Sequence, residues 1–224
     1  MPNTLRVTLS SLASLAGFMV LLFVPAGTLH YWQGWLFLGV FAVVSLVPTL
    51  YLGQLDPANV ERRMHAGPKA ETRTVQKLVV VGILACFTGM LVVSGVDHRF
   101  GWSDMPAALS VLGAVLVTVG LGVAMLVVVQ NHYAAATITV EDNQPLVTTG
   151  LYGIVRHPMY SASVVMMLGI PLALGSYWAL LIVPAVLALL VIRIADEENM
   201  LREELAGYRD YMAAVRYRLI PLAW

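Results

Sequence analysis

Residues 149–160 read Thr149-Gly150-Leu151-Tyr152-Gly153-Ile154-Val155-Arg156-His157-Pro158-Met159-Tyr160. This polar, turn-forming segment lies between two long apolar runs. Pro158 suits the first turn of a helix, where a backbone amide hydrogen has no partner within the helix in any case. An arginine, a histidine and two tyrosines fall within nine residues. In so apolar a chain, a polar cluster at the start of a helix indicates a functional site.

The composition indicates an integral membrane protein. Hydrophobic residues make up 59% of the 224 residues and charged residues 12%, against roughly a quarter charged in a soluble domain. The mean hydropathy is +0.79. A net charge of zero gives no basic surface for nucleic acid. The single cysteine, Cys86, excludes an intramolecular disulfide and any multi-cysteine metal site.

The apolar runs predict an all-α, polytopic transmembrane bundle of about six spans, because each span needs about 20 apolar residues. The first run is longer than a signal-peptide core, so we expect it to be retained. A polar, basic loop is predicted at 56–77 and a second polar stretch at 131–157. The predicted spans are 7–29, 34–55, 78–96, 105–130, 159–174 and 177–194.

The last two spans form a short hairpin. Residues 159–174 make about 24 Å of helix, whereas the hydrocarbon core is about 30 Å thick. We therefore expect residues 152–157 to lie below the cytoplasmic interface, with Arg156 and His157 in a partly desolvated pocket covered by protein. Beyond Arg193 an amphipathic pattern predicts a cytoplasmic C-terminal helix, with apolar positions Leu201, Leu205, Tyr208, Met212 and Val215.

The distribution of basic residues predicts the orientation. With six spans and a cytoplasmic N terminus, twelve of the thirteen Lys and Arg residues lie on the cytoplasmic side, and Arg99 lies opposite. Both termini and the site at 149–160 are then cytoplasmic.

Several ionisable residues have more than one interpretation. Arg193 and Glu197 are four residues apart, which suits an exposed ion pair within one helix, while Arg193 could also extend to the interface. Ionisable groups in a membrane bundle more often face its interior or a cavity. Arg156 could contact lipid headgroups, and His157 could be a helix-entry residue bonded to a neighbour. His132 and His157 form only a weak metal signal, so no metal is expected.

The segment containing Gly120 and Gly122 has two interpretations of its own. It is interpreted mainly as a close-packing notch between helices. A cofactor contact is the less favoured alternative.

Three motifs together resemble the isoprenylcysteine carboxyl methyltransferase family, to which phosphatidylethanolamine N-methyltransferases are more distantly related. The resemblance covers roughly residues 105–221. The motifs are Gln144-Pro145-Leu146-Val147-Thr148-Thr149-Gly150-Leu151-Tyr152, then Arg156-His157-Pro158-Met159-Tyr160, then Arg193 with Glu197-Glu198-x-x-Leu201.

The resemblance implies methyl transfer from S-adenosylmethionine to a lipophilic acceptor at the membrane, most simply a carboxylate of an isoprenylcysteine-like substrate. It implies that Arg193 binds the acceptor and that Glu197 contacts the cofactor, both being catalytic positions. Residues 105–224 would form the methyltransferase core, and 1–104 the N-terminal helices with the acceptor entrance. The implied cofactor-binding residues are Gln144, Pro145, Leu146, Val147, Tyr152, His157, Pro158, Met159, Tyr160 and Glu197.

Two residues depart from the family pattern. Gln144 stands where the family often has histidine, and Ala162 replaces a glycine. The family pattern therefore does not predict the shape of the pocket wall at these two positions.

The acceptor stays open among a carboxylate, a phospholipid amine and a small thiol. A carboxylate is already ionised and needs no base, whereas an amine needs one, for which Glu197 or Glu198 is the local candidate. The alternative from another class is a small membrane transporter or scaffold. The apolar middles of the first four spans favour the enzyme, because transporters place polar or broken helices near the midplane.

Overall fold

The computed structural model describes residues 3–55, 71, 73–131, 133 and 144–224, with side chains omitted for 3–7 and 46–55. This part of the chain is helical and contains no strand, which confirms the all-α prediction. A short 3₁₀ helix, Gly150–Gly153, precedes α5. The α-helices are α1 (Asn3–Ala26), α2 (Trp32–Leu55), α3 (Thr74–Phe100), α4 (Ala107–Gln130), α5 (Pro158–Ala173), α6 (Tyr177–Leu180), α7 (Val183–Glu204) and α8 (Tyr208–Ala214).

The helices are those of a polytopic membrane bundle. Four segments are long and apolar enough to cross a bilayer, and two shorter apolar helical stretches accompany them. Helix α5 is as short as the sequence predicts. It has 16 residues and extends about 24 Å. The long segments are Thr8–Ala26, Thr74–Phe100, Ala107–Gln130 and Tyr177–Glu204, and the shorter ones are Trp32–Ser45 and Pro158–Ala173.

The prediction for the chain after residue 177 is wrong in detail. Pro184 near the start of α7 separates it from the one-turn helix α6, because proline lacks the amide hydrogen that a continuous helix needs. Helix α7 then runs ten residues past Ile194 and contains Leu201. Gly207, with φ of +79°, reverses the chain before α8. The predicted C-terminal helix is therefore divided between the end of α7 and α8.

Two of the predicted polar segments lie partly outside the described residues. Of the basic loop at 56–77, residues 56–70 and 72 are not described, and of the stretch at 131–157, residues 132 and 134–143 are not described. The metal alternative based on His132 lies outside the described residues for this reason.

Helices α4 and α5 pack closely against each other, and glycines permit this close approach. A Cβ atom on Gly113 would lie 2.1 Å from the backbone nitrogen of Ala173, and one on Gly120 would lie 2.8 Å from the carbonyl oxygen of Ala162. At Gly122 a Cβ atom would meet nothing within 4 Å. Gly120 is therefore the close-packing notch that the sequence indicated, whereas Gly122 is not part of it.

Replacing Gly120 by alanine should destabilise the bundle. The added methyl group forces α4 and α5 apart, and such overpacking costs about 1–3 kcal/mol. Gly122→Ala is the matched control in the same helix, and we expect it to leave the thermal stability in detergent unchanged or slightly raised. Equal melting temperatures for the two variants would contradict the notch.

Candidate functional site

A single cavity of about 320 Å³ brings the predicted site residues together. It lies between α3, the segment 144–160, α5, α7 and α8. Its volume falls at the lower end of the range for small-molecule sites, about 300–1,000 Å³. Every residue that the resemblance singled out for cofactor or acceptor lines this cavity: Gln144, Pro145, Leu146, Val147, Tyr152, His157, Pro158, Met159, Tyr160, Arg193 and Glu197.

The two residues that depart from the family pattern lie in different parts of the structure. Gln144 lines the cavity, whereas Ala162 is buried at the contact with Gly120 on α4. The substitution at residue 162 therefore affects the packing of α4 against α5 and not the cavity wall.

The 3₁₀ helix at the cavity is fixed by the end of α4. The backbone amide of Leu151 donates to Oε1 of Gln130 over 3.0 Å. A Cβ atom on Gly150 would lie 2.6 Å from the same oxygen, and Gly150 has a φ of +63°. A side chain at residue 150 would collide with Gln130, and the left-handed conformation also favours glycine. This glycine places Tyr152 against the cavity.

The C-terminal segment covers the start of α5. The backbone amides of Arg156 and His157 each donate, over 2.9 Å, to the carbonyl oxygens of Tyr217 and Arg218 respectively. The Ser161 hydroxyl donates to the carbonyl of Leu219 over 2.6 Å. Arg156 and His157 are each 6% exposed, so they occupy the protein-covered pocket that the short hairpin predicted.

Glu198 is the centre of a buried ionic cluster behind the cavity. Nε and Nη2 of Arg156 each lie 2.7 Å from its Oε1, and Nε of Arg218 donates to Oε2 over 3.0 Å. Nε2 of His157 lies 3.3 Å from Oε1. The headgroup interpretation of Arg156 is therefore wrong: a carboxylate 1% exposed needs buried cationic partners, and Arg156 supplies one.

A second network surrounds Arg193 at the cavity wall. Its Nε donates to the Tyr160 hydroxyl over 3.0 Å, and that hydroxyl donates to Oε2 of Glu197 over 2.6 Å. Nη1 donates to Oε1 of Gln76 over 2.8 Å, and Nη2 to Oε1 of Glu71 over 2.9 Å. Arg193 is 5% exposed. It therefore faces the bundle interior, as ionisable groups in membrane bundles do, and does not extend to the interface.

Two tyrosines of α8 complete the cavity. The Tyr211 hydroxyl donates to the carbonyl of Tyr152 over 2.7 Å. The buried Tyr208 hydroxyl has no hydrogen-bond partner among the described residues. Burial raises the pKa of Tyr208, and the charge of Glu198 adds to the effect. The phenol therefore stays protonated at neutral pH and can donate to a bound molecule.

The sequence does not predict several residues of the cavity and of the network around Arg193. In the sequence Tyr208 is only one of the apolar positions of the C-terminal helix, although Tyr211, three residues later, lies on the same helix face. Asn131 stands at the polar end of an apolar run, and its side chain donates to the Tyr152 hydroxyl over 3.1 Å. Glu71 and Gln76 gave no local signal, because their partner Arg193 is more than a hundred residues away.

No metal site is found in the part of the chain that the structure describes. Groups of three His, Cys, Asp or Glu side chains that could hold an ion do not occur there.

A comparison with known families matches the middle and later part of the chain. A family model described as phospholipid methyltransferase matches residues 108–206. This range runs from α4 to the end of α7 and contains the cavity segment, α5 and Arg193. A comparison with curated proteins found no match. The family match confirms the predicted resemblance to phospholipid methyltransferase-like membrane enzymes over this range.

Neutralising Glu198 should destabilise the protein. Glu198→Gln removes the charge that Arg156 and Arg218 share, and breaking a buried ion pair on one side costs about 3 kcal/mol. Glu203→Gln removes the same charge at an exposed position of the same helix and should be near neutral. Thermal unfolding in detergent makes the comparison. Equal stability of the two variants would show that the cluster is not needed for folding.

Proposed function

We propose that this protein transfers a methyl group from S-adenosylmethionine to a lipophilic acceptor at the membrane. The best-supported acceptor is the carboxylate of an isoprenylcysteine-like thioether. The observation that carries the proposal is the convergence of all the predicted site residues on one cavity. The family match to phospholipid methyltransferases supports the reaction class independently.

The wall near α8 suits the cofactor. Aromatic and apolar faces can enclose an adenine ring there, while Glu197 and the unpartnered Tyr208 hydroxyl offer polar contacts. Bound S-adenosylmethionine supplies an electrophilic methyl group on a positively charged sulfur. The residues that would hold it are Gln144, Pro145, Leu146, Val147, Tyr152, His157, Pro158, Met159, Tyr160, Glu197 and Tyr208.

The wall between α3 and α7 suits the acceptor. Up to Arg193 it is aliphatic, and Leu84 reaches the outer surface with 51% exposure. An apolar tail can therefore enter from the lipid beside α3, which supports an acceptor entrance built by residues 1–104. The aliphatic lining residues are Val80, Ile83, Leu84, Val186 and Leu190.

The residues of this chain mainly position the acceptor and exclude water. Arg193 stands where the two walls meet, and its planar guanidinium can hold a carboxylate by two parallel hydrogen bonds. A carboxylate is ionised at neutral pH, so its methylation needs no proton acceptor. Holding two reactants in line can lower the barrier by several kcal/mol without acid–base catalysis.

The second candidate acceptor is a phospholipid amine. The description of the matched family favours it, and Glu197 is a carboxylate on the cavity wall that could accept a proton. Glu198 is unsuitable for this role, because Arg156, His157 and Arg218 already surround it.

We also propose that the cavity opens to the cytoplasm, with both termini on that side. The distribution of basic residues supports this orientation. A charged, water-soluble cofactor would reach the cavity directly from the compartment where it is made.

Binding of the demethylated product, S-adenosylhomocysteine, tests the proposal by calorimetry on the detergent-solubilised protein. Tyr208→Phe removes the unpartnered hydroxyl and should weaken binding about tenfold, the effect of one buried hydrogen bond. His157→Ala and Glu197→Gln should also weaken binding. Tyr177→Phe, at the exposed start of α6, is the matched control and should bind normally. Absence of any heat or thermal stabilisation would remove the enzyme assignment.

Arg193→Lys tests whether Arg193 belongs to the acceptor half or to the cofactor half of the site. It keeps the charge that pairs with Glu71 but loses the two-pronged geometry. We therefore expect normal binding of S-adenosylhomocysteine and a turnover at least about tenfold lower. Loss of product binding would show instead that Arg193 belongs to the cofactor half.

A further inference from the structure

The arginine proposed to bind the acceptor already holds a carboxylate of its own chain. Nη2 of Arg193 donates to Oε1 of Glu71 over 2.9 Å, and the two side chains are 6% and 1% exposed. We propose that Glu71 occupies the position of the acceptor carboxylate and is a specificity-determining residue, which a carboxylate acceptor must displace. This inference rests on the proposed function.

Among the three described partners of the guanidinium, Glu71 is the one that lies outside a helix. Tyr160 lies in α5 and is fixed by its bond to Glu197. Gln76 lies in α3, and its amide donates to Asp196 over 2.6 Å. Glu71 lies outside a helix, three residues before α3 begins at Thr74. Its carboxylate can therefore leave Arg193 without breaking the helical hydrogen bonds of α3.

Charge balance requires the displacement. Glu71 offsets the charge of Arg193, and Glu197 is joined to the same network through Tyr160. An acceptor carboxylate that entered with Glu71 still in place would add a further negative charge in a poorly solvated site, where like charges repel strongly. One arginine then has to exchange one carboxylate for another.

The exchange has a consequence for specificity. Because one ion pair is replaced by a similar one, the carboxylate contributes little net affinity, and the apolar tail must supply the binding energy along the aliphatic wall of α3 and α7. Small water-soluble carboxylates, which lack such a tail, are therefore excluded. Glu71 restricts the site to acceptors that combine a carboxylate with a long apolar chain.

Glu71→Gln tests the inference, because glutamine still accepts a hydrogen bond from Arg193 but carries no charge. The ligands are N-acetyl-S-farnesylcysteine and its uncharged methyl ester, titrated by calorimetry with saturating S-adenosylhomocysteine present. We expect the variant to bind the acid about tenfold more tightly, the effect of one charge-assisted hydrogen bond. Binding of the ester should not change. Glu203→Gln, an equal charge change on the exposed face of α7, should alter neither ligand.

An unchanged or weaker affinity of Glu71→Gln for the acid would overturn the inference, since a purely structural ion pair predicts no gain. If Glu71→Gln does not fold, Glu71→Asp takes its place, because the shorter side chain pairs less well with Arg193 and should shift acid binding in the same direction. Failure of the wild-type protein to bind S-adenosylhomocysteine would contradict the proposed function itself. Normal product binding with unchanged acid affinity would contradict only the role of Glu71.

Discussion

A carboxylate buried in a membrane protein must be matched by cations, and Glu198 imposes this requirement on the end of the bundle that contains the cavity. Arg156 comes from the segment before α5, and Arg218 from the C-terminal segment, so one side chain joins three parts of the chain. Breaking such a cluster on one side leaves unpaired buried charge. The C-terminal segment therefore stays against residues 156–161, and the cavity acquires its cover.

The adjacent residue on the same helix has a different role. Successive residues of a helix point about 100° apart, so Glu197 faces the cavity while Glu198 faces the cluster behind it. Arg193 lies one turn earlier and is linked to Glu197 through Tyr160. Helix α7 thus carries both the structural cluster and the proposed acceptor contact. The proposed acceptor contact is therefore held by a helix and not by a loop.

Local signals in the sequence predict much of the fold. Apolar runs of the right length predict the membrane helices, and Pro158 marks the start of α5 where the structure has it. The motif resemblance groups residues 144–147, Tyr152 and residues 157–160 with Arg193 and Glu197. Their shared cavity agrees with that grouping.

Contacts between distant residues could not be predicted in the same way. The partner of Arg193, Glu71, is separated from it by 122 residues, and no periodicity connects them. The break at Gly207 was missed because the apolar spacing continues through it, although a left-handed glycine ends the helix. The burial of Arg156 likewise depends on residues 215–218, which pair with it only in the folded chain.

The central claim is that a cavity facing the cytoplasm transfers a methyl group to a lipophilic carboxylate. The most direct measurement supplies S-adenosylmethionine with a tritiated methyl group, together with N-acetyl-S-farnesylcysteine, to sealed inverted membrane vesicles that contain the protein. The account predicts tritium on the farnesylated product, released by base as an ester would be, and little transfer in right-side-out vesicles. Base-stable tritium in a phospholipid headgroup, or no protein-dependent transfer, would contradict it.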